Sequence, residues 1–203
     1  ISDGIVMPSP QSEVHTEPII RLDRCFFAVD PRDLPAIPAT PPPSIMSGRL
    51  TLGSFNNPLK YSDDVVRIWA QLLAAIPNAD LLLCYPSMDP ASTTAHVRKL
   101  FIDAGVDAAR IQVRCDLSRE QAFSEYGRVD IALDPSQVNG GMTTVEALWM
   151  GVSWISSQRS STRLGDRSAA TLLRQRSIMG AALSTATRVT SASRIWRRRA
   201  SVT

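Results

Sequence analysis

The chain has 203 residues, which is enough for one ordinary domain. Its hydrophobic fraction of 44% and charged fraction of 20% exclude a wholly disordered protein, and its net charge of +3 is mild. No long apolar run and no signal peptide are visible, so we expect a cytoplasmic protein with no membrane partner. The three cysteines are widely spaced and no Cys/His cluster exists, so neither a disulfide framework nor a metal site is expected.

The first segment, residues 1–48, is rich in proline and includes the run Pro41-Pro42-Pro43. Proline lacks a backbone N–H and has a fixed φ angle, so this segment is not expected to form a helix or a central strand. We interpret it as an extended connector from an N-terminal half that this sequence does not contain.

Residues 49–175 alternate between strand-like and helix-like patterns. Strands are predicted at 49–53, 81–84, 110–114, 129–133 and 152–156. Helix signals lie between them, among them a capping serine, Ser62, and a capping box from Ser118 to Gln121. This alternation, with its short connections, predicts an α/β fold: a Rossmann-like parallel sheet with helices on both faces.

The C-terminal segment, residues 176–203, is rich in Ser, Thr, Ala and Arg and has lost the periodicity of the preceding domain. We interpret it as an atypical, exposed tail. A basic arm that binds nucleic acid is the alternative, but aromatic residues are nearly absent here, so no nucleic-acid partner is expected.

The strongest local signal is the turn Asn139-Gly140-Gly141, which follows a predicted strand and opens a predicted helix. Adjacent glycines let a ligand approach the backbone, and the first amides of a helix are unpaired and favour a phosphate group. Thr143 and Thr144 add hydroxyl donors, and Glu146 could accept hydrogen bonds from a ribose diol. An ordinary glycine-containing turn before a helix remains the alternative.

Two further loops follow strands of the same predicted sheet. Lys60, one of only two lysines, lies in the loop after the first strand, where it could neutralise a diphosphate. Arg119 begins the helix after the third strand. A solvated lysine and an exposed capping-box residue are the alternatives. Because the carboxyl ends of parallel strands meet at one edge, we expect all three loops to lie together.

Three segments together resemble the catalytic region of the O-linked N-acetylglucosamine transferase family, in particular its bacterial members with tetratricopeptide repeats. They are Thr-Leu-Gly-Ser-Phe-Asn-Asn at 51–57 with Lys60, Val-Asp-Ile-Ala-Leu-Asp at 129–134, and Asn-Gly-Gly-Met-Thr-Thr-Val-Glu-Ala-Leu-Trp-Met-Gly-Val at 139–152. The resemblance extends from Ile1 to about Leu173, and nothing after Arg174 is expected to match.

The resemblance implies the C-terminal half of a GT-B glycosyltransferase that uses UDP-N-acetylglucosamine to modify Ser and Thr hydroxyls of proteins, without a metal or other cofactor. It assigns Lys60 to leaving-group stabilisation at the diphosphate, with Asn57 as its polar neighbour. It places Arg119 near the uracil and Glu146 near the ribose. The helix start at the phosphates consists of Gly140, Gly141, Met142, Thr143 and Thr144.

Several departures from the family pattern leave other functions open. Met142 and Ala122 replace family residues that carry a polar group near the nucleotide. The family's catalytic histidines belong to the N-terminal half, and His15 does not match them, so we expect no catalytic base in this chain and no turnover by it alone. The alternatives are a non-catalytic α/β remnant that serves as an interaction module, and a partly folded product of a frameshift near Arg174.

Overall fold

The computed structural model describes residues 2–3, 16–23, 29–36, 41–86, 89–135, 138 and 140–156. They form two compact units, divided between Pro35 and Ala36. In the first unit, strand β1 (Ser2–Asp3) pairs in parallel with strand β2 (Arg21–Leu22). The predicted tail, His15 and the arginines after residue 156 lie outside the described residues.

The second unit contains the alternating strands and helices that the sequence predicts. Its elements are α1 (Pro43–Ser47), β3 (Leu50–Ser54), α2 (Asp63–Ala75), β4 (Ala79–Cys84), α3 (Pro90–Asp103), β5 (Ile111–Arg114), α4 (Arg119–Tyr126), β6 (Ile131–Asp134), α5 (Met142–Trp149) and β7 (Ser153–Ser156). All five predicted strands in the domain are present, each within two residues of its predicted bounds.

Strands β3 to β7 form one parallel sheet in the order β5-β4-β3-β6-β7. The chain runs outward from β3 to β5 and then returns to β6 on the other side of β3. The order therefore reverses between β3 and β6, and ligands of open parallel sheets bind at the carboxyl ends of such a pair. The topology alone thus identifies the edge where a site is expected.

The main core lies between one face of the sheet and helices α2 and α3. It contains alternate residues of β4, Leu81 and Leu83, together with Trp69 of α2 and Phe101 of α3. The buried side chains of α4, such as Phe123, lie outside this cluster. This division is what right-handed crossovers produce when the strand order reverses, since the later helices then cover the opposite face.

Helix α2 shows both a confirmed signal and a wrong one. Asp63 and Asp64 occupy its first turn, as predicted for the positive end of a helix dipole. Ser62 stands at the N-cap, but its hydroxyl is buried and makes no capping hydrogen bond. At the other end, the Arg110 guanidinium donates to the carbonyls of Leu73, at 2.9 Å, and Ile76, at 2.8 Å. Arg110 thereby satisfies groups that the end of a helix leaves unpaired.

The proline-rich segment contains a helix that the sequence analysis did not predict. Helix α1 begins at Pro43, where a missing N–H costs nothing because the first amides of a helix have no partner. It ends at Gly48, whose φ of 75° suits glycine. The expectation of an extended segment up to residue 48 is therefore wrong at 43–47.

The described residues also bear on the expectations about cysteines, metals and membranes. Cys84 and Cys115 are buried free thiols, and burial raises the pKa of Cys84 to about 12, so that thiol stays protonated. Within the described ranges, no group of His, Cys, Asp and Glu side chains is arranged to hold a metal ion. None of the helices that the structure describes is both long and apolar enough to cross a bilayer.

Candidate functional site

A small cleft, partly open to solvent, lies at the carboxyl edge of the sheet where the strand order reverses. Its walls come from the loop after β3, the end of β6, the start of α5 and strand β7. The lining residues are Phe55, Asn56, Ala132, Leu133, Thr143, Thr144 and Trp154. Two of the three predicted loops, those of Lys60 and Thr143, therefore meet at this edge.

Asn56 lies buried in the wall of the cleft and joins its two sides. Its Oδ1 accepts hydrogen bonds from Lys60 Nζ at 3.3 Å and from Thr143 Oγ1 at 3.4 Å. Both distances are longer than usual for such bonds, so either donor can exchange this contact for a shorter one to an anion. The structure thus brings the predicted lysine and the predicted helix start to one acceptor atom.

Asp134, the last residue of β6, lies beneath Asn56. Asp134 is only 4% exposed, and all four residues of β6 are buried. Oδ1 of Asp134 accepts from Asn56 Nδ2 at 3.1 Å and from the backbone N–H of Gly140 at 2.6 Å. A single carboxylate therefore connects the loop after β3 with the glycine turn before α5.

Gly140 is needed because the space beside it is already occupied. A Cβ atom placed on Gly140 would lie 2.5 Å from Thr143 Oγ1 and 2.9 Å from both Asp134 Oδ1 and Thr144 Oγ1. At these distances a side chain at position 140 would displace the Thr143 and Thr144 hydroxyls and the Asp134 carboxylate from their present positions. The first of the two predicted glycines therefore permits a tight turn of the backbone over Asp134.

The start of helix α5 offers hydrogen-bond donors to the cleft. Gly141 is the N-cap, so no side chain caps this end, and the first intrahelical bond is donated by Val145 to the Gly141 carbonyl. The preceding helical amides have no partner within the helix, as is usual at a helix start, and such amides can bind a ligand. Among the residues that the structure describes, Thr144 Oγ1 is buried and has no hydrogen-bond partner. An anion at this position would satisfy these groups.

Glu146 lies one turn further along α5 and is bound by a residue that the sequence analysis did not identify. The Tyr126 hydroxyl donates to Glu146 Oε2 at 3.1 Å and to the Thr143 carbonyl at 3.3 Å. Burial raises the pKa of Glu146, while the Tyr126 hydrogen bond and the charge of Arg119 oppose that rise. The carboxylate is thus oriented and remains an acceptor for a polar ligand.

Arg119 and the aromatic residues of α4 form the next part of the same edge. The Arg119 guanidinium lies 5.6 Å from the centre of the Phe123 ring, and the Tyr126 ring stacks on Phe55 with centroids 3.6 Å apart. Arg119 is exposed at the first position of α4. The capping box from Ser118 to Gln121 is present as predicted, so the helix start that carries Arg119 is well defined.

The remaining predicted site residues occupy less central positions. The Asn57 side chain accepts from Leu59 N at 2.9 Å and donates to the Tyr85 hydroxyl at 3.1 Å, which shapes the loop that carries Lys60. Met142 is 42% exposed at the first position of α5. Asn139 lies outside the described residues. The ligand-binding roles of all these residues stay predictions.

The sequence analysis missed three residues of the site: Asn56, Asp134 and Tyr126. A signal existed for the first two, because Asn56 directly precedes Asn57 and Asp134 ends a predicted strand. No comparable signal existed for Tyr126, which contacts Glu146 from a different helix. Its hydroxyl is kept protonated, because burial and the neighbouring carboxylate raise the Tyr126 pKa.

The chain is similar in sequence to known glycosyltransferases. The family model described as Glycosyl transferase family 41 matches residues 46–188. The probable UDP-N-acetylglucosamine–peptide N-acetylglucosaminyltransferase SPINDLY of Oryza sativa subsp. japonica is 32% identical over 158 residues, which are 75% of this chain and 16% of that protein. The SPINDLY protein of Arabidopsis thaliana is 31% identical, again over 75% of this chain and over 17% of its own length.

A solved structure has the same architecture. An O-GlcNAc transferase mutant from Thermobaculum terrenum superposes with a TM-score of 0.70 and is 26% identical, covering 98% of this chain and 40% of that one. The chain thus spans about a sixth of the length of its curated plant relatives and less than half of this structural neighbour.

These comparisons confirm the predicted fold class and family, and they correct one expectation. We expected the similarity to end near Leu173, but the family match continues to residue 188. Because the family model covers well over half of the sequence, the chain belongs to glycosyl transferase family 41.

Proposed function

We propose that this chain is the nucleotide-sugar-binding part of a protein O-GlcNAc transferase, with UDP-N-acetylglucosamine as the donor. The observation that supports it most directly is the meeting of Lys60 and Thr143 at the Asn56 amide oxygen, beside a helix start with no capping side chain. The similar plant proteins are described as UDP-N-acetylglucosamine–peptide N-acetylglucosaminyltransferases. The cleft offers a cation and backbone donors, which are the groups that a diphosphate needs.

In this proposal, the chain contributes to glycosyl transfer by stabilising the leaving group. Negative charge develops on the diphosphate as its bond to the sugar breaks. Lys60 and the first amides of α5 are preorganised around the position where that charge appears, so they lower the energy of the transition state more than that of the bound donor. We propose that these groups replace a metal ion. The affinity for UDP should then be the same with EDTA as with added Mg²⁺.

The other end of the nucleotide is assigned to α4 and α5. Glu146, oriented by the Tyr126 hydroxyl, is placed to accept hydrogen bonds from the ribose hydroxyls. Arg119, at the exposed start of α4, is assigned to the uracil side. The acceptor protein and the base that activates its hydroxyl are proposed to belong to a part of the enzyme outside this chain.

The first test compares the two lysines of the chain by isothermal titration calorimetry with UDP. A hydrogen bond to a charged group contributes about 1.5–3 kcal/mol, so Lys60→Ala should weaken UDP binding about 10- to 100-fold. Lys99→Ala is the matched control, since Lys99 pairs with Asp103 on the exposed surface of α3, and it should leave the affinity unchanged.

The alternative function is a non-catalytic interaction module, which the exposed Met142 favours because it places an apolar side chain at the helix start. Thermal unfolding distinguishes the two. With UDP at 100 times its dissociation constant, the proposed function predicts a stabilisation of about 2.7 kcal/mol. A cooperative transition that UDP does not shift would favour the interaction module. No cooperative transition at all would indicate a product that does not fold.

A further inference from the structure

Asn56 and Asp134 form a buried hydrogen-bonded pair in the wall of the cleft, and Asp134 determines which end of the Asn56 amide donates. Asn56 is 5% exposed and Asp134 is 4% exposed, so neither is freely hydrated. An ionised carboxylate only accepts hydrogen bonds, whereas an amide side chain has a donor end and an acceptor end. Asp134 Oδ1 therefore requires the Nδ2 end of Asn56, at 3.1 Å.

The orientation of the Asn56 amide determines what the cleft presents to Lys60 and Thr143. With Nδ2 directed at Asp134, the opposite end, Oδ1, faces both the lysine ammonium and the threonine hydroxyl. If the amide were reversed, its N–H groups would face the lysine ammonium, which can only donate, and the Thr143 hydroxyl would have to turn to accept. The two ends of an amide have similar shapes, so packing alone would allow either orientation of the Asn56 side chain. Asp134 selects the orientation in which Oδ1 faces Lys60 and Thr143.

The same carboxylate oxygen also binds the glycine turn. Gly140 N–H donates to Asp134 Oδ1 at 2.6 Å, and this bond holds the turn that leads into α5. The loop that carries Lys60 and the helix start that carries Thr143 are therefore positioned by one buried pair, although Asn56 and Asp134 are 78 residues apart in the chain.

We propose that Asn56 and Asp134 are a positioning pair for the diphosphate end of the site, and that they hold Lys60 and the α5 helix start in register before the nucleotide binds. This inference rests on the proposed function. Neither residue is assigned a contact with the nucleotide. The pair acts by reducing the rearrangement that the phosphate-binding groups need on binding, which is the source of affinity in a preorganised site.

The test compares UDP with uridine, because uridine lacks the diphosphate but keeps the ribose and the base. Affinities for both are measured by calorimetry or competition at a temperature where each variant is folded. Asn56→Leu removes both ends of the amide and should weaken UDP binding about tenfold, while uridine binding changes less than twofold. Asn56→Asp keeps the size but sets two carboxylates against each other, and it should reduce the UDP-to-uridine affinity ratio at least as much.

A paired exchange guards against loss of folding. Combining Asn56→Asp with Asp134→Asn keeps one carboxylate and one amide in the pair, with the hydrogen bond reversed, so acceptor oxygens still face Lys60 and Thr143. The Gly140 N–H, however, then meets an amide N–H group instead of the Asp134 Oδ1 atom. This variant should recover part of the UDP-to-uridine ratio that Asn56→Asp alone loses, because the two carboxylates no longer repel each other while the glycine turn still lacks its acceptor. Such a recovery is not expected if Asn56 contributes only general stability, since stability does not change that ratio.

The outcomes separate the two proposals. A folded wild-type chain that binds neither UDP nor uridine would overturn both the proposed function and this inference. If the wild type binds UDP tightly but the Asn56 variants keep its UDP-to-uridine ratio, only the positioning pair is overturned. The positioning pair is also overturned if Asn56→Leu weakens both ligands equally, or if the paired exchange recovers no part of the ratio.

Discussion

Two buried aspartates at opposite ends of strand β6 have different kinds of partner. Asp130 precedes the strand and accepts from the backbone N–H groups of Ser44, at 3.0 Å, and Thr51, at 2.8 Å. Asp134 ends the strand and accepts from the side chain of Asn56 as well as from a backbone amide. The first carboxylate therefore connects only elements of the fold, whereas the second leads on to groups of the cleft.

The difference shows how one residue type serves two purposes in the same strand. Four residues of β-strand span about 13 Å, so the two carboxylates lie at opposite edges of the sheet. At the amino edge, Asp130 anchors helix α1 to strand β3, and Arg110 closes the end of α2. At the carboxyl edge, loops diverge from their strands and leave a cleft. Substitutions at the amino edge should therefore affect stability, and substitutions at the carboxyl edge should affect binding.

The largest effect is expected from a single methyl group at the carboxyl edge. Gly140→Ala would place a Cβ atom 2.5 Å from Thr143 Oγ1, so the polar side chains of the helix start must shift from their present positions. Overpacking of this kind costs about 1–3 kcal/mol of folding stability. Because the groups that shift surround the proposed phosphate position, we also expect UDP affinity in calorimetry to fall about tenfold or more, roughly the loss of one hydrogen bond to a charged group.

Gly151→Ala is the matched control for that substitution at the other end of α5. Gly151 has a φ of 75° and open space around its Cα, so alanine is strained there but displaces nothing. It should lower the free energy of unfolding by about 1 kcal/mol and leave UDP affinity unchanged. Equal losses of affinity in the two variants would remove the distinction between the cleft and its surroundings.

The next effect tests the amino edge. Asp130→Asn replaces one of two acceptor oxygens by a donor that faces a backbone N–H, which should cost about 1–3 kcal/mol in chemical denaturation without changing UDP affinity. Weaker UDP binding by the folded variant would contradict the assignment of Asp130 to the fold alone.

The pH dependence of this variant has a definite sign. Burial raises the pKa of Asp130 above its ordinary value of 3.8, and the bonds from Thr51 and Ser44 only partly offset that rise. The carboxyl group therefore contributes fully to stability below about pH 3.8, and part of that contribution is lost as the pH rises through the folded-state pKa. The stability difference between wild type and Asp130→Asn should narrow over that interval.

The smallest effect concerns Glu146 and the pH dependence of binding. Burial raises the pKa of Glu146 above 4.5, so the carboxylate begins to take up a proton at a higher pH than an exposed glutamate does. If it accepts hydrogen bonds from the ribose, UDP affinity should fall severalfold as the pH decreases through that pKa. Glu146→Gln does not titrate and is the control. The ratio of wild-type to variant affinity for UDP should therefore decrease with falling pH, and a ratio that is independent of pH would contradict this role of Glu146.

The sequence could predict most of the fold because its signals are local. Apolar runs and capping residues depend on neighbours a few positions away, and so the five strands and the capping box of α4 were predictable. Helix α1 was missed because, in the sequence, a proline that begins a helix cannot be distinguished from one that prevents a helix. The carboxylate of Asp130, which accepts from the Ser44 N–H at the start of α1, is 86 residues away in the chain.

The site was predictable in part for the same reason. Gly140, Thr143 and Lys60 were predictable because they follow predicted strands of a parallel sheet, at the edge where ligands bind. The choice between Asn56 and Asn57 could not be made from the sequence, since adjacent residues point in different directions and only packing decides which one is buried. Asn57 instead caps the turn that carries Lys60.

The sequence by itself determined the order of strands and helices, the glycine turn and the family, because each depends on residue types at short spacing. The tertiary structure decided how Asn56, Asp134 and Tyr126 serve the site. Each of these residues forms a hydrogen bond to a residue at least 20 positions away in the chain. Such bonds form only when the folded chain brings distant elements into contact. The direction of those bonds follows from which atoms are donors and which are acceptors, and only the folded chain brings them within reach.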